Sequence, residues 1–266
     1  MFSRSKTPAR AACWLLLGLA LLLSISGCGT PPVNQQQAVS TQPPSLLTAK
    51  IVTRSSASVR AEANQPATAT ATCNAGEQVI AGSFSAEIFE ADSVGASYPS
   101  SDHAWTVVAS SPASFIVLSV QAYCVPADFP LGIKMVQGTG KIACPSGSVL
   151  VNGGFQGGAA TSKPAGNGWM SDRTSYALCA TRHLVAGASV SAQENLPAGY
   201  GVGGSGGAAC AQGQVATGGG FSGSQQYPMT YLGPGKDYGG WVISGYSNGS
   251  IPQVAPLVWA VCNSVS

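Results

Sequence analysis

Eight cysteines carry the most definite chemistry in this chain. Cys13 and Cys28 lie near the amino terminus, and the other six lie between residues 73 and 262. A metal site is not indicated for those six, because the chain has no C-x-x-C spacing and only two histidines. In exported proteins an even set of cysteines usually forms disulfides. The six cysteines therefore predict disulfides, provided that the chain is exported.

The first 27 residues have the features of a signal peptide. Three basic residues precede an apolar run at 11–23, which is too short to span a bilayer comfortably. The sequence Ile25-Ser26-Gly27-Cys28 resembles the bacterial lipobox. This resemblance implies cleavage before Cys28 and lipidation of its sulfur. An ordinary cleaved signal followed by an incidental cysteine is the alternative.

A lipid on Cys28 predicts where the protein is held. One acyl chain binds a membrane weakly and two or more hold it stably, so a lipobox cysteine is a durable anchor. In two-membrane bacteria an Asp after the cysteine tends to keep the protein at the inner membrane, and this chain has Gly29. We expect an exported protein anchored at the cell envelope, in the outer membrane if the organism has one.

Candidates for catalysis are few. Asp102 and His103 are two parts of an acid–base relay, and Ser247 lies in a G-x-S-x-G pattern at 245–249. A nucleophile elbow needs a strand, a turn and a helix in an α/β sheet, which the surrounding sequence does not indicate. An exposed turn explains Asp102 and His103 more simply, since sequence neighbours rarely point the same way. For these two reasons a secreted hydrolase acting on an envelope or extracellular polymer is kept only as the second hypothesis.

Aromatic residues beside turn-rich stretches indicate binding. Tyr98, Tyr231 and Tyr238 have neighbours typical of loops. Aromatic rings in such loops stack on the apolar C–H patches of sugar rings, and the phenol adds a hydrogen bond. These three tyrosines are the predicted ligand contacts.

Composition limits the kind of protein that presents these residues. Only 8% of the chain is charged, against about 25% in an average soluble protein, and Gly and Pro number 34 and 17. Long Lys- and Glu-rich helices are excluded, because their surfaces need residues that this chain lacks. Three of the 12 basic residues lie in the signal peptide. A nucleic-acid partner is not expected, since it requires clustered Lys and Arg.

Residues 28–66 have the composition of a flexible tether behind the lipidated cysteine. Gln, Ser, Thr, Pro and Ala dominate, with few large apolar side chains to offset the entropy of ordering the chain. The exception is 46–59, where an apolar run is compatible with a first strand. The folded domain is placed at 67–266, and the assignment of 46–60 is left open.

Residues 67–266 contain three copies of one unit, at about 67–126, 127–180 and 181–266. Each copy opens with a cysteine followed by Gly at +3, Gly at +9 and Phe at +11, then has a tryptophan, and closes with Ala-x-Cys. The tryptophans Trp105, Trp169 and Trp241 are interpreted as core residues, because every unit repeats one. The middle unit is shorter after its tryptophan, which predicts the loss of a hairpin.

The repeat also predicts which cysteines pair. Spacing alone leaves many connectivities open, but each unit holds one opening and one closing cysteine. Pairing within units gives Cys73–Cys124, Cys144–Cys179 and Cys210–Cys262.

Local patterns within the units are those of β-strands. Residues 68–72 alternate Thr with Ala ahead of Cys73, and residues 115–125 place Leu118, Val120 and Cys124 on one face. The +3 glycine suits a turn with positive φ, and the glycines near +9 permit a bulge or a close backbone approach. No stretch long enough for a helix has a helical period. The sequence therefore predicts an all-β domain of three pseudo-equivalent, disulfide-stapled repeats.

Tandem C-x-x-G…G-G-F…W…A-x-C units of this kind resemble those of certain secreted bacterial proteins. More distantly, they resemble the vitelline-membrane outer-layer protein, whose three repeats form a β-prism. The resemblance covers residues 67–266 and implies a rigid extracellular prism with no cofactor and with glycan affinity. A β-sandwich and a row of three small β-modules are the alternatives.

These observations favour a non-catalytic, lipid-anchored surface or envelope protein that displays a rigid β domain for structure or adhesion. The expected partners are the membrane, through Cys28, and a polysaccharide or another envelope protein. No cofactor, metal or nucleic acid is expected. The hydrolase hypothesis is weaker, because ionisable groups are spread thinly through 67–266.

Overall fold

A computed structural model describes residues 46–87, 93–112, 114–126, 128–193, 203–223, 229–246 and 256–265. They form antiparallel sheets, which confirms the predicted all-β class.

A short helix, α1 (Leu46–Lys50), comes first, and a 3₁₀ turn occupies Lys236–Tyr238. The first unit and the segment before it contain β1 (Val52–Ser55), β2 (Val59–Ala61), β3 (Pro66–Thr72), β4 (Gln78–Glu87), β5 (Ser93–Ser101), β6 (Ala104–Ser110) and β7 (Ile116–Val125). The second contains β8 (Lys134–Ala143), β9 (Val149–Gln156), β10 (Thr161–Pro164) and β11 (Gly168–Ala180). The third contains β12 (Leu184–Ala186), β13 (Val190–Ala192), β14 (Gly203–Ala209), β15 (Val215–Ser222), β16 (Met229–Pro234), β17 (Gly240–Tyr246) and β18 (Leu257–Val265).

Each unit begins with the same strand, turn and strand. In β3 the alanines are buried and the threonines are exposed, so simple alternation turns one face to the core. The +3 glycine makes the turn that follows the opening cysteine. Gly76, Gly147 and Gly213 have φ angles of 83°, 77° and 82°, in the left-handed region that glycine adopts without steric cost.

The three units exchange strands with one another. β4 of the first unit pairs with β16 of the third, β15 of the third with β10 of the second, and β9 of the second with β5 of the first. The result is a seven-stranded sheet in the order β1-β7-β4-β16-β17-β14, with β2 also on β7. An eleven-stranded sheet follows the order β12-β18-β15-β10-β11-β9-β5-β6-β3, with β13 on β18 and β8 on β11. Because each unit pairs strands with both of the others, this exchange excludes a row of three independent modules.

The middle unit keeps its hairpin, and the prediction that it lost one was wrong. β10 and β11 form that hairpin, with Pro164 opposite Trp169. What differs is that β11 runs for 13 residues and carries both Trp169 and Cys179, which correspond to residues on separate strands in the other units. Its register against β8 shifts between Met170 and Thr174. Because this one strand pairs with β8, β9 and β10, it links them all into the eleven-stranded sheet.

The core repeats one arrangement of phenylalanine, tryptophan and glycine. The three phenylalanines and three tryptophans are at most 2% exposed: Phe84, Phe155, Phe221, Trp105, Trp169 and Trp241. The +9 glycines Gly82, Gly153 and Gly219 lie so close to the tryptophan of their own unit that a Cβ would overlap the indole ring. The cavity enclosed at this centre has a volume of about 10 Å³, which leaves room for at most one water molecule. The tryptophans are core residues, as predicted.

One of the three tryptophans lacks the hydrogen bond that the others make. In the first two units the indole N–H donates to a serine hydroxyl, at 3.1 Å in Trp105–Ser97 and 2.9 Å in Trp169–Ser162. Each serine lies opposite the core phenylalanine of the next unit in the sheet. In the third unit the residue opposite the phenylalanine is Leu232, which has no hydroxyl to accept a hydrogen bond. Trp241 Nε1 is buried and has no hydrogen-bond partner within the described residues.

Three disulfides join the cysteine pairs that the repeat predicts, Cys73–Cys124, Cys144–Cys179 and Cys210–Cys262. Cys73 follows β3 of the eleven-stranded sheet, and Cys124 lies in β7 of the seven-stranded sheet. The third disulfide likewise joins the end of β14 to β18. Because the units exchange strands, two bonds that are local in sequence tie one sheet to the other.

Residues 46–61, left open by the sequence, belong to the folded region, and we call them the N-terminal strap. β1 and β2 both pair with β7, and Leu47 is completely buried. Arg54 of β1 forms an ion pair with Glu77, in the turn after Cys73. Hydrogen bonding to Arg54 holds the pKa of the Glu77 carboxyl below its ordinary value. The folded region therefore includes residues 46–61 and does not begin at residue 67.

Candidate functional site

Two of the three predicted contact tyrosines meet on the outer face of the seven-stranded sheet. Along β7, Leu118, Val120 and Ala122 point into the core, so Gln121 and Tyr123 lie on the opposite face of the strand, where Tyr123 is covered. Tyr231, on β16, and Tyr238, in the 3₁₀ turn, lie beside Tyr123. We call Tyr123, Tyr231 and Tyr238 the tyrosine cluster.

Tyr123 forms the floor of this cluster. It is only 4% exposed, and its hydroxyl donates a hydrogen bond to Gln121 Oε1 at 2.9 Å. The hydroxyl of Ser83, on the neighbouring β4, lies 2.8 Å from the same phenol oxygen. These contacts fix the ring, so that Tyr123 is a rigid base for the two more exposed tyrosines.

Tyr231 and a glycine define one side of the cluster. The Tyr231 hydroxyl donates to the carbonyl oxygen of Pro234 at 2.9 Å, which bends the side chain along its own strand. Between them, Gly233 has no space for a side chain, because a Cβ would strike Ser83 and the Tyr231 hydroxyl. Gly233 thus allows Tyr231 to lie flat along the seam between two units.

Tyr238 forms the opposite side and is held by an unusual backbone. Asp237 and Tyr238 have φ angles of 54° and 55°, a left-handed conformation that residues other than glycine rarely adopt. The Tyr238 ring meets Tyr123 edge to face, with centroids 5.7 Å apart, and its hydroxyl lies 3.3 Å from Thr53 Oγ1 of the strap. The Gly239 N–H donates to the Lys236 carbonyl oxygen at 3.1 Å, so the two left-handed residues form the tight turn of the hairpin between β16 and β17. The turn therefore holds Tyr238 half-buried above a fixed ring.

The cluster is uncharged. Burial raises the pKa of Tyr123, Tyr231 and Tyr238 above that of a free tyrosine, so all three phenols keep their protons at physiological pH. The site therefore offers half-buried aromatic surface, phenol hydroxyls and one amide, which can stack and exchange neutral hydrogen bonds.

Tyr98 lies elsewhere, so the three predicted contact tyrosines do not form one site. It is on β5 in the eleven-stranded sheet and stacks on Tyr176, with ring centroids 4.9 Å apart. Tyr98 and Tyr231 also belong to strands, although the sequence suggested loops. Their partly exposed positions arise because outer strand faces, as well as loops, present side chains to solvent.

The sequence did not single out Tyr123, Gln121 or Ser83 as site residues. The alternation of residues 115–125 was visible, and it assigns positions 121 and 123 to the outer face as directly as it assigns Cys124 to the core. What it does not give is the pairing of β4 with β16, which brings Ser83 next to Tyr231 from a different unit.

Two residues of the hydrolase hypothesis, Asp102 and His103, accept backbone hydrogen bonds from either side of the turn that follows Cys73. The carbonyl of His103 accepts a hydrogen bond from the Cys73 N–H at 2.7 Å, and that of Asp102 accepts one from the Val79 N–H at 2.9 Å. The His103 ring nitrogen Nδ1 contacts the carbonyl oxygen of Glu77. Ser247, like the lipidation residue Cys28, lies outside the described residues.

Cys73, Glu77 and Cys124 form a group with the ligand types of a metal site, within 4.8 Å of one another. Both sulfurs belong to the Cys73–Cys124 disulfide, and Glu77 is paired with Arg54. These atoms are thus already engaged in holding the first unit together.

In comparisons with known proteins, no protein-family model and no curated protein matches the chain. Among the described residues, no helix has the length and apolar character needed to cross a membrane.

Proposed function

We propose that this chain is a non-catalytic, lipid-anchored envelope protein whose β domain binds a neutral glycan through the tyrosine cluster. The observation that carries this proposal is the placement of Tyr238, held by a left-handed backbone and half-buried above Tyr123. A hairpin turn that holds an aromatic ring in one orientation favours a ligand there, because little side-chain freedom is lost on binding.

The chemistry of the cluster selects the class of ligand. Sugar rings present apolar C–H patches that pack on aromatic faces and hydroxyls that exchange hydrogen bonds with phenols and amides. The three phenols are neutral, so a neutral ring suits them better than an anion. Anchored display is supported by the lipobox-like sequence at Cys28, by the tether that follows it, and by three disulfides suited to an oxidising compartment.

Replacement of Tyr238 by alanine should weaken binding to neutral oligosaccharides at least about tenfold, the effect of losing a central aromatic contact. Binding by the wild type should change little with ionic strength, because stacking is not screened by salt. The measurement is a titration of the full-length, detergent-extracted protein against the neutral oligosaccharides of a glycan array. Tyr238→Phe should retain most of the affinity, since it keeps the ring.

Tyr246→Ala is the matched control, because Tyr246 is 42% exposed on β17 of the same sheet and outside the cluster. Melting temperatures of the Tyr238 and Tyr246 variants should stay close to that of the wild type. The glycan proposal fails if no neutral oligosaccharide binds, or if Tyr246→Ala weakens binding as much as Tyr238→Ala.

Replacement of Cys28 by serine should release the protein from the membrane fraction or leave the signal peptide uncleaved, because serine cannot form the thioether that carries the lipid. Cell fractionation and mass spectrometry of the mature amino terminus measure both results. Normal cleavage together with full membrane retention would contradict the anchor and leave the glycan proposal standing.

A further inference from the structure

A second surface, on the eleven-stranded sheet, places two lysines in line with a tryptophan. Trp259 on β18 lies opposite Gly220 on β15. On the other side of β15, Ser162 of β10 lies opposite Phe221, and the same register places Lys163 beside Gly220. Lys163 in turn lies opposite Met170 on β11, which lies opposite Lys141 on β8. Directly opposed residues share a face of a sheet, so these side chains form one row across five strands.

The row lies on the outer face. Its neighbours along the strands point inward: Ser162 accepts the hydrogen bond of Trp169, and Ala260 is completely buried. Trp259, Lys163 and Met170 are half-buried, and Lys141 is exposed. We call Trp259, Lys163 and Lys141 the lysine row.

The tryptophan and the central lysine are already in contact. The Lys163 ammonium lies over the Trp259 ring, 5.0 Å from its centroid, and Trp259 Nε1 donates to Ser222 Oγ at 3.4 Å. Gly220 lies between them in the row and has no side chain to separate them. The indole is therefore held in a fixed orientation with a cation beside it.

Within the part of the chain that the structure describes, no carboxylate forms an ion pair with either lysine of the row. The ion pairs within the described residues are Lys50–Asp128, Arg54–Glu77 and Arg60–Glu62. Asp172, on the same sheet, accepts a hydrogen bond from the Thr161 N–H at 2.9 Å. The two lysines are two strands apart, or about 10 Å between their backbones at the usual strand spacing.

We propose that the lysine row binds an acidic polysaccharide, with carboxylates of uronate-type sugars on Lys163 and Lys141 and one sugar ring against Trp259. A cation–π contact at a partly exposed site is weaker than a charge-assisted hydrogen bond, so a ligand carboxylate can draw Lys163 off the indole and free that ring face for the sugar. Two cations separated along a line match a polymer with repeated charges. This proposal is independent of the tyrosine cluster, which lies on the other sheet.

An anionic membrane surface would also attract the two lysines, but the row fits a polysaccharide better. Membrane-bound faces insert exposed apolar side chains between the lipids. Here both apolar members, Trp259 and Met170, are half-buried, and the indole face is covered by Lys163. The row offers charge in a line and little apolar surface that lipid can reach.

The test compares oligogalacturonate with its methyl ester, which has the same rings without the charges, on the full-length detergent-extracted protein. The acid should bind more tightly than the ester, and its affinity should fall as salt is raised. Lys163→Gln and Lys141→Gln should each weaken binding of the acid about five- to tenfold, as expected for one charge-assisted contact. Binding should also change the tryptophan fluorescence, since Trp259 is half-buried and the three core tryptophans are at most 2% exposed.

Lys134→Gln is the matched control, because Lys134 is exposed on the same strand as Lys141 and lies outside the row. Equal affinity for acid and ester, no binding of the acid, or an equal loss in Lys134→Gln would overturn the proposal. The last arm places the protein in vesicles with and without an anionic lipid, to which its lipid anchor binds alike. If anionic lipid changes the tryptophan fluorescence of the wild type but not of the lysine variants, and the acid does not, the row is a membrane contact. Tyr238→Ala should leave the acid titration unchanged, which separates this site from the neutral one.

Discussion

Replacement of Gly153 by alanine should lower the free energy of unfolding by about 3 kcal/mol, near the upper end of overpacking effects in a close-packed core. A Cβ at this position would overlap the indole of Trp169 and crowd the carbonyl oxygen of Tyr176. Neither group can move freely, because the ring is 1% exposed and bound to Ser162, and the carbonyl belongs to β11. Urea unfolding with intact disulfides measures the change.

Gly95→Ala is the control for the same substitution in a strand. Its added Cβ would meet no atom nearer than Val108 O at 3.7 Å, and its φ is not positive. Its stability should therefore stay the same or rise slightly, because alanine restricts the unfolded chain. Trp169→Phe should recover part of the stability lost in Gly153→Ala, since the smaller ring makes room. If Gly153→Ala unfolds like the wild type, the proposed contact between the +9 glycine and the tryptophan is refuted.

Removal of the Cys73–Cys124 disulfide by double substitution to alanine should cost about 4 kcal/mol, the chain-entropy value for a loop of this size. The two cysteines are 51 residues apart, and the bond ties the eleven-stranded sheet to β7 of the seven-stranded sheet. Loss of the bond should therefore loosen the contact between the sheets as well as enlarge the unfolded ensemble. Urea unfolding and hydrogen exchange of β3 and β7 report the two effects.

The Cys144–Cys179 bond provides the comparison. Its sequence separation is 35; Cys144 follows β8 and Cys179 lies in β11, both strands of the eleven-stranded sheet. The corresponding double variant should lose somewhat less stability and should not increase exchange in β7. A reduced wild type that is as stable as the oxidised one would contradict the account of both bonds.

The opening and closing cysteines, the turn glycines and the core aromatics were accessible from the sequence alone. Each is a local requirement repeated three times: a positive φ at Gly76, Gly147 and Gly213, a missing side chain at the +9 glycine, and a cysteine on an inward position of the closing strand. Repetition made these requirements visible, because chance does not place the same residue at the same offset in three units.

The sites needed the tertiary structure. Tyr231 reaches Tyr123 because β16 of the third unit pairs with β4 of the first, and Lys163 reaches Trp259 because β10 of the second unit pairs with β15 of the third. Such pairings join residues far apart in the chain, and the alternation within a strand carries no information about its partner. The sequence by itself therefore determined the class of fold, the repeat and the disulfides, since these depend on contacts within one unit. Only the exchange of strands between units decided which side chains share a surface, because burial of the common core, and not any local pattern, selects that exchange.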